Sequence, residues 1–586
     1  MLETLRTDVL VVGGGTGGTA AALQAARRGG VQTILVSEGP WLGGMLTSAG
    51  VSAPDGNELR AFQTGIWGAF LRALRQRQPG GLNHAWVSFF TYDPRVGAQI
   101  FADWVQALPN LHWIQGDRPR AVIGDRDRLR GVEFERVRIE AKVVIDATEL
   151  GDLLAIADVP HRWGWEPQEQ WQEPSAPTSA QLESDERYRR YPVQSPTWVM
   201  VMKDYGQSAS LIPVPKSYNP DLFAGAWQTP DNLAFLDYGR LPSDRFMINW
   251  PGPGNDYGEG LQRLIQGDRA HQEWMQEAIA HSQAFAHHIQ AHFGDRYGLA
   301  MDQFPNQAIG GGAFALQPYY RESRRVIGSA TVTELDLLPQ PQGQVAKLPC
   351  NAAGEVSAIA IGNYANDHHY PNWDFRLQPK SMRWGGRWTG TAFSLPYDCL
   401  LPAQTEGLLV CEKNIAVSHI ANGATRLQPV VLGLGQAAGM AAALAVEQGC
   451  DPRSLSVRDL QEALLTDPNA PQAIVPLYDT PPEHPDWLAR QRHYLDQPES
   501  YPATGEHGGV PAQPLISAQA ETLTGQFEQL GEQNYQLHDG TNTWQLVTLD
   551  AAIDQHFKAL SDRTLLSVAG LLNPAGHWLI AEALHA

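Results

Sequence analysis

Asp8-Val9-Leu10-Val11-Val12-Gly13-Gly14-Gly15-Thr16-Gly17-Gly18 is the stretch that decides the fold of this chain. Its apolar run is long enough for a strand and leads into the pattern Gly-x-Gly-x-x-Gly. An alanine-rich segment with helical periodicity follows at Thr19–Arg28, and a second β-type run, Thr33–Val36, ends at Ser37-Glu38. Strand, glycine loop, helix, strand and acid in this order form the dinucleotide-binding fingerprint. The stretch therefore predicts an α/β, Rossmann-like domain that binds a dinucleotide.

Each residue of the glycine loop has an expected task. Gly13 allows a tight turn out of the strand, Gly15 lets the backbone approach a pyrophosphate, and Gly18 lets the helix pack close to the sheet. Thr16 and Gly17 lie at the start of the helix, where unpaired N–H groups and the helix dipole attract phosphates. All five residues are therefore predicted to contact the cofactor.

Further stretches indicate which dinucleotide is bound. Trp41-Leu42-Gly43-Gly44-Met45-Leu46-Thr47 follows the acid, and Lys142–Thr148 reads as a buried strand that ends in small residues. Far downstream, Ser418–Pro429 precedes an apolar helix at Val430–Val446. Together these stretches resemble FAD-dependent oxidoreductases of the glutathione-reductase-like superfamily. The resemblance implies FAD as the cofactor, with the start of the apolar helix near the isoalloxazine N1 and C2 carbonyl. It implies further cofactor contacts from Gly43, Gly44, Met45, Thr47, Ala147, Thr148, Asp152, Gln428 and Gly433.

The acid at the end of the second strand is expected to bind the ribose. Relatives differ by one residue in where this acid falls, so Ser37 is an alternative to Glu38. We favour Glu38, because a carboxylate accepts hydrogen bonds from both ribose hydroxyls and a serine hydroxyl does not.

Bulk composition excludes several classes of protein. The chain has 586 residues, 43% of them apolar and 18% charged, and a net charge of −20. This charge disfavours nucleic acid or an anionic membrane as a partner, and no apolar stretch reads as a membrane span. The four cysteines are widely spaced, which predicts free thiols, no metal site and a cytoplasmic location. We expect a small-molecule substrate.

The length predicts two or three domains. Residues 1–165 and 400–465 are expected to form a discontinuous FAD-binding domain, with an α+β substrate domain inserted at 166–399. Residues 479–514 are dense in Pro and Gly and predict a linker. Residues 515–586 read as three strands, a helix and two strands, which is the order of a small OB-like β-rich module. We expect this module to serve docking or self-association.

Three residues are candidates for the chemistry. Arg321, in a cluster of three arginines around Glu322, suits bidentate carboxylate recognition, with an ion-pair network as the alternative. His369 belongs to a Tyr, acid, His segment that family members carry near the flavin, and His419 precedes the C-terminal FAD element. Histidine titrates near neutrality and serves as an acid or a base, although a packed histidine is the alternative for both.

Aromatic residues suggest the shape of the substrate region. Trp373, Trp384 and Trp388 lie in the expected substrate domain and suit a planar or sugar-like substrate, with core packing as the alternative.

The sequence thus predicts an FAD-dependent oxidase or dehydrogenase that transfers a hydride between a small molecule and flavin N5. An NAD-dependent dehydrogenase and a non-catalytic flavin-binding or assembly protein are the alternatives. Gly43-Gly44 and the downstream FAD element disfavour NAD.

Overall fold

Three hydrophobic cores organise the chain in the computed structural model, which describes residues 2–125, 127–216, 218–227, 232–378, 381–509 and 512–585. The first core contains the glycine loop's sheet and the apolar helix near residue 440. The second core is formed mostly by residues from the stretch 191–320. The third lies inside the C-terminal module.

A mixed sheet forms the first core, and within the described residues it has seven strands. Its order is Leu111–Gln115, Thr33–Ser37, Glu3–Val12, Val137–Asp146, Leu129–Phe134 and Pro119–Gly124. Leu408–Val410 pairs with the last three residues of Val137–Asp146. The first four strands and Leu408–Val410 are parallel, and the other pairings are antiparallel. The strands Pro119–Gly124, Leu129–Phe134 and Val137–Asp146 therefore form an antiparallel meander at one side of the sheet.

The register of the parallel strands places their carboxyl ends at one edge. Val12 lies beside Val36 on one side and Asp146 on the other. Gly13, Glu38 and Ala147 therefore follow three neighbouring strands at the same edge, which is where open α/β sheets bind ligands.

Two helices cross at very close range above this sheet. Thr16–Arg27 follows the glycine loop, and Gln428–Gln448 is the predicted apolar helix. A methyl group added to Gly435 would overlap the carbonyl oxygen of Gly17, and one added to Gly439 would overlap that of Ala21. Since the absence of Cβ atoms permits this approach, the two glycines fix the position of the helix start at Gln428.

The remaining helices of the first core cover the sheet and its edges. They are Gly65–Arg77, Pro94–Gln106, Asp152–Ile156, His419–Thr425, Val457–Leu465 and Trp487–Asp496. The paired strands Ala358–Asn363 and Ala392–Pro396 also belong to this core. Residues 345–399, predicted as substrate domain, thus pack partly on the cofactor side.

The second core is built on a four-stranded antiparallel sheet and one long helix. The strand order is Tyr297–Leu299, Met200–Asp204, Arg245–Ile248 and Arg240–Leu241, and the helix is Asp268–Phe293. Short helices at Gln168–Trp171, Ser179–Ser184, Glu186–Arg190 and Asn232–Leu236, and the strand pair His161–Arg162 with Arg325–Val326, complete this region.

The linker prediction for residues 479–514 was wrong for much of that stretch. Helix Trp487–Asp496 lies within it, and Trp487, Tyr494 and Tyr501 are buried in the first core. Gln491 accepts hydrogen bonds from the N–H groups of Ile474 and Val475. Proline and glycine suggested an exposed segment, whereas the aromatic side chains between them anchor it.

The C-terminal module is a small closed barrel. In the stretch 512–585 its strands are Glu521–Gly531, Asn534–His538, Thr543–Val547, Leu565–Asn573 and Trp578–His585. The fifth strand pairs with both the third and the fourth, and helix Ala551–Ala559 lies between the third and fourth strands. This order agrees with the sequence prediction.

The barrel is docked on a β-hairpin of the main body. The hairpin pairs Ser381–Trp384 with Arg387–Gly390, and its turn reaches the barrel. Thr548 N–H donates to the carbonyl of Gly385 at 2.8 Å, and Gly385 N–H donates to Asp554 at 3.1 Å. The barrel therefore holds this hairpin in place.

Among the described residues one helix, Gln428–Gln448, has the length and hydropathy of a membrane span. However, 89% of its most apolar window is buried inside the chain. Its apolar surface is used in the first core.

The close helix crossing predicts that two glycine-to-alanine substitutions on helix Gln428–Gln448 change the free energy of unfolding by different amounts. We expect Gly439→Ala to lower the free energy of unfolding by about 1–3 kcal/mol, because the new methyl group displaces the partner helix. Gly433→Ala on the same helix is the matched control, since its methyl group would lie 3.4 Å from the Ala360 Cβ. Alanine's helix propensity makes that variant neutral or slightly more stable. Thermal unfolding followed by circular dichroism checks this, and equal melting temperatures would contradict the close packing.

Candidate functional site

A cleft of about 530 Å³ opens at the carboxyl edge of the parallel strands. The predicted cofactor residues that line it are Gly13, Gly15, Glu38, Ala147, Thr148 and Asp152. They come from the ends of three neighbouring strands, so the fold itself gathers them. The Thr148 hydroxyl donates to Asp146 at 2.7 Å and accepts from the Asp152 N–H at 2.6 Å, which fixes the turn at this edge.

The geometry distinguishes Glu38 from Ser37. The Ser37 hydroxyl accepts from Trp113 Nε1 at 2.8 Å and donates to the Gly39 carbonyl at 2.9 Å, so it is engaged within the protein. Both residues line the cleft, and the Glu38 carboxylate pairs with Arg118, Oε2 to Nε, at 2.8 Å. Arg118 also lines the cleft and was missed in the sequence, because nothing local connects it to the glycine loop.

Several residues predicted to bind the cofactor hold the Gly-Gly turn through their side chains. The Thr16 hydroxyl donates to the Gly43 carbonyl at 2.9 Å and accepts from the Met45 N–H at 3.2 Å. The Thr47 hydroxyl donates to the Leu42 carbonyl. Thr16, Met45 and Thr47 are fully buried, so their side chains have a packing role in this structure.

The glycines of this region are also explained by packing. A Cβ on Gly44 would lie 2.6 Å from the Thr16 nitrogen, and one on Gly43 would lie 2.6 Å from the Phe101 ring. A Cβ on Gly18 would lie 2.7 Å from the Ala147 Cβ, which confirms the close approach of helix and sheet. Gly433 contacts Ala360 and Gln472 and lies outside both cavities described here.

A buried ionic chain reaches the start of the first helix. Gly17 N–H donates to Glu412 at 2.6 Å, and Lys413 donates to Glu412 at 3.0 Å and to Glu149 at 2.6 Å. The Glu412 carboxylate also fills the space that a Gly15 side chain would need. Burial raises the pKa of Glu412, and the two carboxylates raise the pKa of Lys413 despite its burial. Glu412 therefore places a carboxylate at the expected phosphate position.

A second cavity, of about 360 Å³, lies beside the start of helix Gln428–Gln448. Leu427 and Gln428 form part of its wall, and the loop that continues the Gly-Gly turn contributes Val51, Ala53 and Asp55. The hairpin that the barrel holds contributes Arg387, Trp388, Thr389 and Gly390. We call this space the polar cavity.

His369 lies in the wall of the polar cavity between two carboxylates. Its Nδ1 is 3.1 Å from Asp256 and its Nε2 is 2.8 Å from Asp367. Each ring nitrogen therefore has a carboxylate as its hydrogen-bond partner, which fixes the orientation of the ring. Burial opposes ionisation, but Arg321 and His369 lower the pKa of Asp256, and His369 and Arg426 hold the pKa of Asp367 well below its usual range.

Two arginines complete this wall. Arg321 is 1% exposed, lies 3.1 Å from Asp256 and donates to the Ser195 carbonyl. Arg426 donates to the Tyr319 hydroxyl at 2.6 Å and to Asp367 at 3.1 Å. The predicted residues Arg321 and His369 are therefore brought together, as members of one ionic network at the cavity.

The structure does not place His419, predicted as a catalytic residue, at either cavity. His419 is fully buried, with Nδ1 2.8 Å from Glu322 and Nε2 2.7 Å from the Tyr370 hydroxyl, and its ring packs on Trp165. Burial lowers its pKa well below the usual value, and it lines neither cavity. The packed-histidine alternative describes it.

Of the three tryptophans predicted for the substrate region, one lines the polar cavity and two pack against other aromatic side chains. Trp388 lines the polar cavity and is 60% exposed, whereas Trp384 is buried and stacks on Tyr478. Trp373 packs in an aromatic cluster with Trp165, Tyr188 and Tyr191.

The sequence also missed Asp55 and Glu58 of the polar cavity. Both follow Pro54 in a turn directly after the Gly-Gly segment, and that position was the one available signal.

Comparison with known families agrees with this geometry. The family model described as FAD dependent oxidoreductase matches residues 8–464. The chain belongs to this family of FAD-dependent oxidoreductases. FAD is accordingly its cofactor, and the NAD-dependent and non-catalytic alternatives are set aside.

Other comparisons are weaker. No protein of curated function matches the chain. Solved structures that are similar include pqsL, a probable FAD-dependent monooxygenase from Pseudomonas aeruginosa, at 12% identity and TM-score 0.30, covering 84% of this chain and 97% of that one. A variant of the E. coli quinol fumarate reductase FrdA shows 12% identity and TM-score 0.28, over 79% of this chain and 76% of that one. The p-nitrophenol 4-monooxygenase PnpA from Pseudomonas putida DLL-E4 shows 12% identity and TM-score 0.21, over 35% of this chain and 49% of that one. At these scores none of them carries an argument.

The residues of the cleft fit FAD. The glycine loop presents backbone that a Cβ would block, and Asp117, beside Arg118, has a buried carboxylate oxygen without a hydrogen-bond partner. Gly13, Gly15, Glu38 and Arg118 would hold the adenosine half of this FAD-dependent oxidoreductase's cofactor. Glu412 holds the Gly17 N–H at the helix start, where the pyrophosphate is expected.

We predict that the Glu412 carboxylate competes with the FAD pyrophosphate for the Gly17 N–H. We expect Glu412→Ala to lower the Kd for FAD by about threefold to tenfold, or about 0.6–1.4 kcal/mol, because it frees the Gly17 N–H and removes a buried negative charge. Fluorescence titration of FAD measures this. Glu149→Ala is the control, since it removes the same charge but leaves Glu412 on Gly17, and it should give the smaller gain. Weaker binding by Glu412→Ala would show that this carboxylate helps to hold the cofactor.

Proposed function

We propose that this protein is an oxidase or dehydrogenase that transfers a hydride from a small polar substrate to the N5 of FAD. The observation that carries the proposal is the polar cavity, which lies against the start of helix Gln428–Gln448 and the loop that follows the Gly-Gly turn. In the family that the chain resembles, this helix start lies near the flavin. The cavity is therefore the place where a substrate would meet the cofactor.

FAD supplies the acceptor for the hydride when it is bound. The protein's own contribution begins with the start of helix Gln428–Gln448, whose free N–H groups and dipole stabilise negative charge. Leu427 and Gln428 present this helix end to the cavity.

The network of His369, Asp367, Arg426 and Arg321 positions the substrate. Its cationic groups lie in the cavity wall and are held by Asp256 and Asp367, so they are fixed before a ligand arrives. Preorganised donors of this kind orient oxygen atoms of a substrate. His369 acts here by holding Asp256 and Asp367 in place, because both of its ring nitrogens are engaged with these carboxylates.

The proposal predicts that loss of His369 slows the chemistry without loss of FAD. We expect His369→Gln to slow anaerobic flavin reduction by a bound substrate about 10–100-fold, while FAD affinity stays within about twofold. Stopped-flow bleaching of the flavin band measures the rate, and fluorescence titration measures the affinity.

His271→Gln is the matched control. His271 lines the cofactor cleft and bonds the Tyr320 hydroxyl, so any effect should fall on FAD affinity. Unchanged flavin reduction in His369→Gln would contradict the assignment of the cavity as the substrate site.

A further inference from the structure

Five residues that line the polar cavity carry buried polar atoms without hydrogen-bond partners. Four of the residues concerned are buried, from 1% exposed for Arg321 to 8% for Asn249. The unpaired atoms are the donors Arg321 Nε, Arg387 Nη1 and Arg426 Nε and the acceptors Asn249 Oδ1 and Gln428 Oε1. Since unpaired buried polar atoms are costly, a ligand is expected to satisfy them.

Donors and acceptors are interspersed around the same space. A carboxylate ligand would satisfy the arginines but face Asp55 and Glu58, and an ammonium ligand would satisfy the carboxylates but face three arginines. A hydroxyl group both donates and accepts, so several hydroxyls satisfy both kinds of wall atom without adding charge. Tyr238, Tyr364 and Trp388 add aromatic surface to the wall.

We propose that the substrate is a neutral polyhydroxylated ring compound, a sugar or cyclitol, and that Asp55 accepts the proton of the hydroxyl that is oxidised. This rests on the proposed function and specifies its substrate class. The carbon that bears this hydroxyl loses a hydride to FAD, the O–H proton passes to the Asp55 carboxylate, and a C=O bond forms. FAD is the oxidant, and the two electrons leave with the hydride.

Asp55 is distinguished from the other carboxylates of the cavity. Asp367 pairs with His369 and Arg426, and Glu58 lies 3.9 Å from Arg387. Among the described residues, Asp55 has no hydrogen bond or ion pair. It is therefore free to take up a proton.

The surroundings of Asp55 make it a base that operates above neutrality. Burial, and then the nearby Glu58, raise its pKa to about 8. Asp367 acts in the same direction, and Arg387 and Arg426 oppose it. The hydroxyls of Tyr238 and Tyr364 also face it. Since the base must be ionised, flavin reduction should rise as the pH rises through about 8.

Ligand binding tests the substrate class independently of catalysis. Calorimetric titration of the FAD-loaded protein would use a panel of aldohexoses and cyclitols that includes D-glucose and myo-inositol. Cyclohexanol, cyclohexylamine and cyclohexanecarboxylate are the matched rings. We expect at least one polyol to bind at least about tenfold more tightly than the three comparison rings. Tighter binding of the amine or the acid than of every polyol would overturn the proposal.

Anaerobic flavin bleaching tests Asp55. We expect Asp55→Asn to slow reduction by the best polyol at least about 100-fold and to remove the pH dependence near 8, with polyol affinity within a few-fold of wild type. Glu58→Gln is the control and should keep a pH dependence, with its midpoint moved below about 8, because the Glu58 charge that raises the pKa of Asp55 is removed. Wild-type reduction rates in Asp55→Asn would overturn the assignment of Asp55.

Two outcomes separate this proposal from the proposed function. Bleaching by the amine or the acid, and by no polyol, would overturn the substrate class while hydride transfer stands. Tight binding of a polyol without bleaching by any compound would overturn the proposed function and the role of Asp55, while the ligand class stands.

Discussion

The contact between helix Thr16–Arg27 and helix Gln428–Gln448 is the constraint on which the two cavities depend. Gly435 and Gly439 lie against the backbone of Gly17 and Ala21, where a single Cβ would not fit. Because packed interiors do not deform continuously, this contact determines where the second helix begins. The first helix starts at the cofactor cleft and the second at the polar cavity, so one crossing relates the two sites.

Charge is arranged differently in the two sites. Glu149, Lys413 and Glu412 form a buried chain with one more negative than positive group, at the point where a pyrophosphate is expected. In the polar cavity, the three basic side chains Arg321, Arg426 and His369 pair with two carboxylates, Asp256 and Asp367. Buried ion pairs add little net stability, and the second network is better explained as a preorganised binding wall. The C-terminal barrel contributes to that wall through the hairpin that carries Arg387 and Trp388.

Local patterns predicted the fold well, and the site less well. Periodicity and turn residues predicted the strand and helix around Gly13 and the order of the barrel strands. Thr16 and Thr47 were assigned to the cofactor because their positions are right, but their hydroxyls bond the backbone of the neighbouring turn. Asp256 and Arg426 were missed because tertiary contacts between distant segments create their roles.

The absorbance spectrum of the purified protein after FAD addition and gel filtration tests the central claim most directly. We predict flavin bands near about 370 and 450 nm that elute with the protein at about one FAD per chain. A colourless protein fraction after incubation with excess FAD would contradict this prediction.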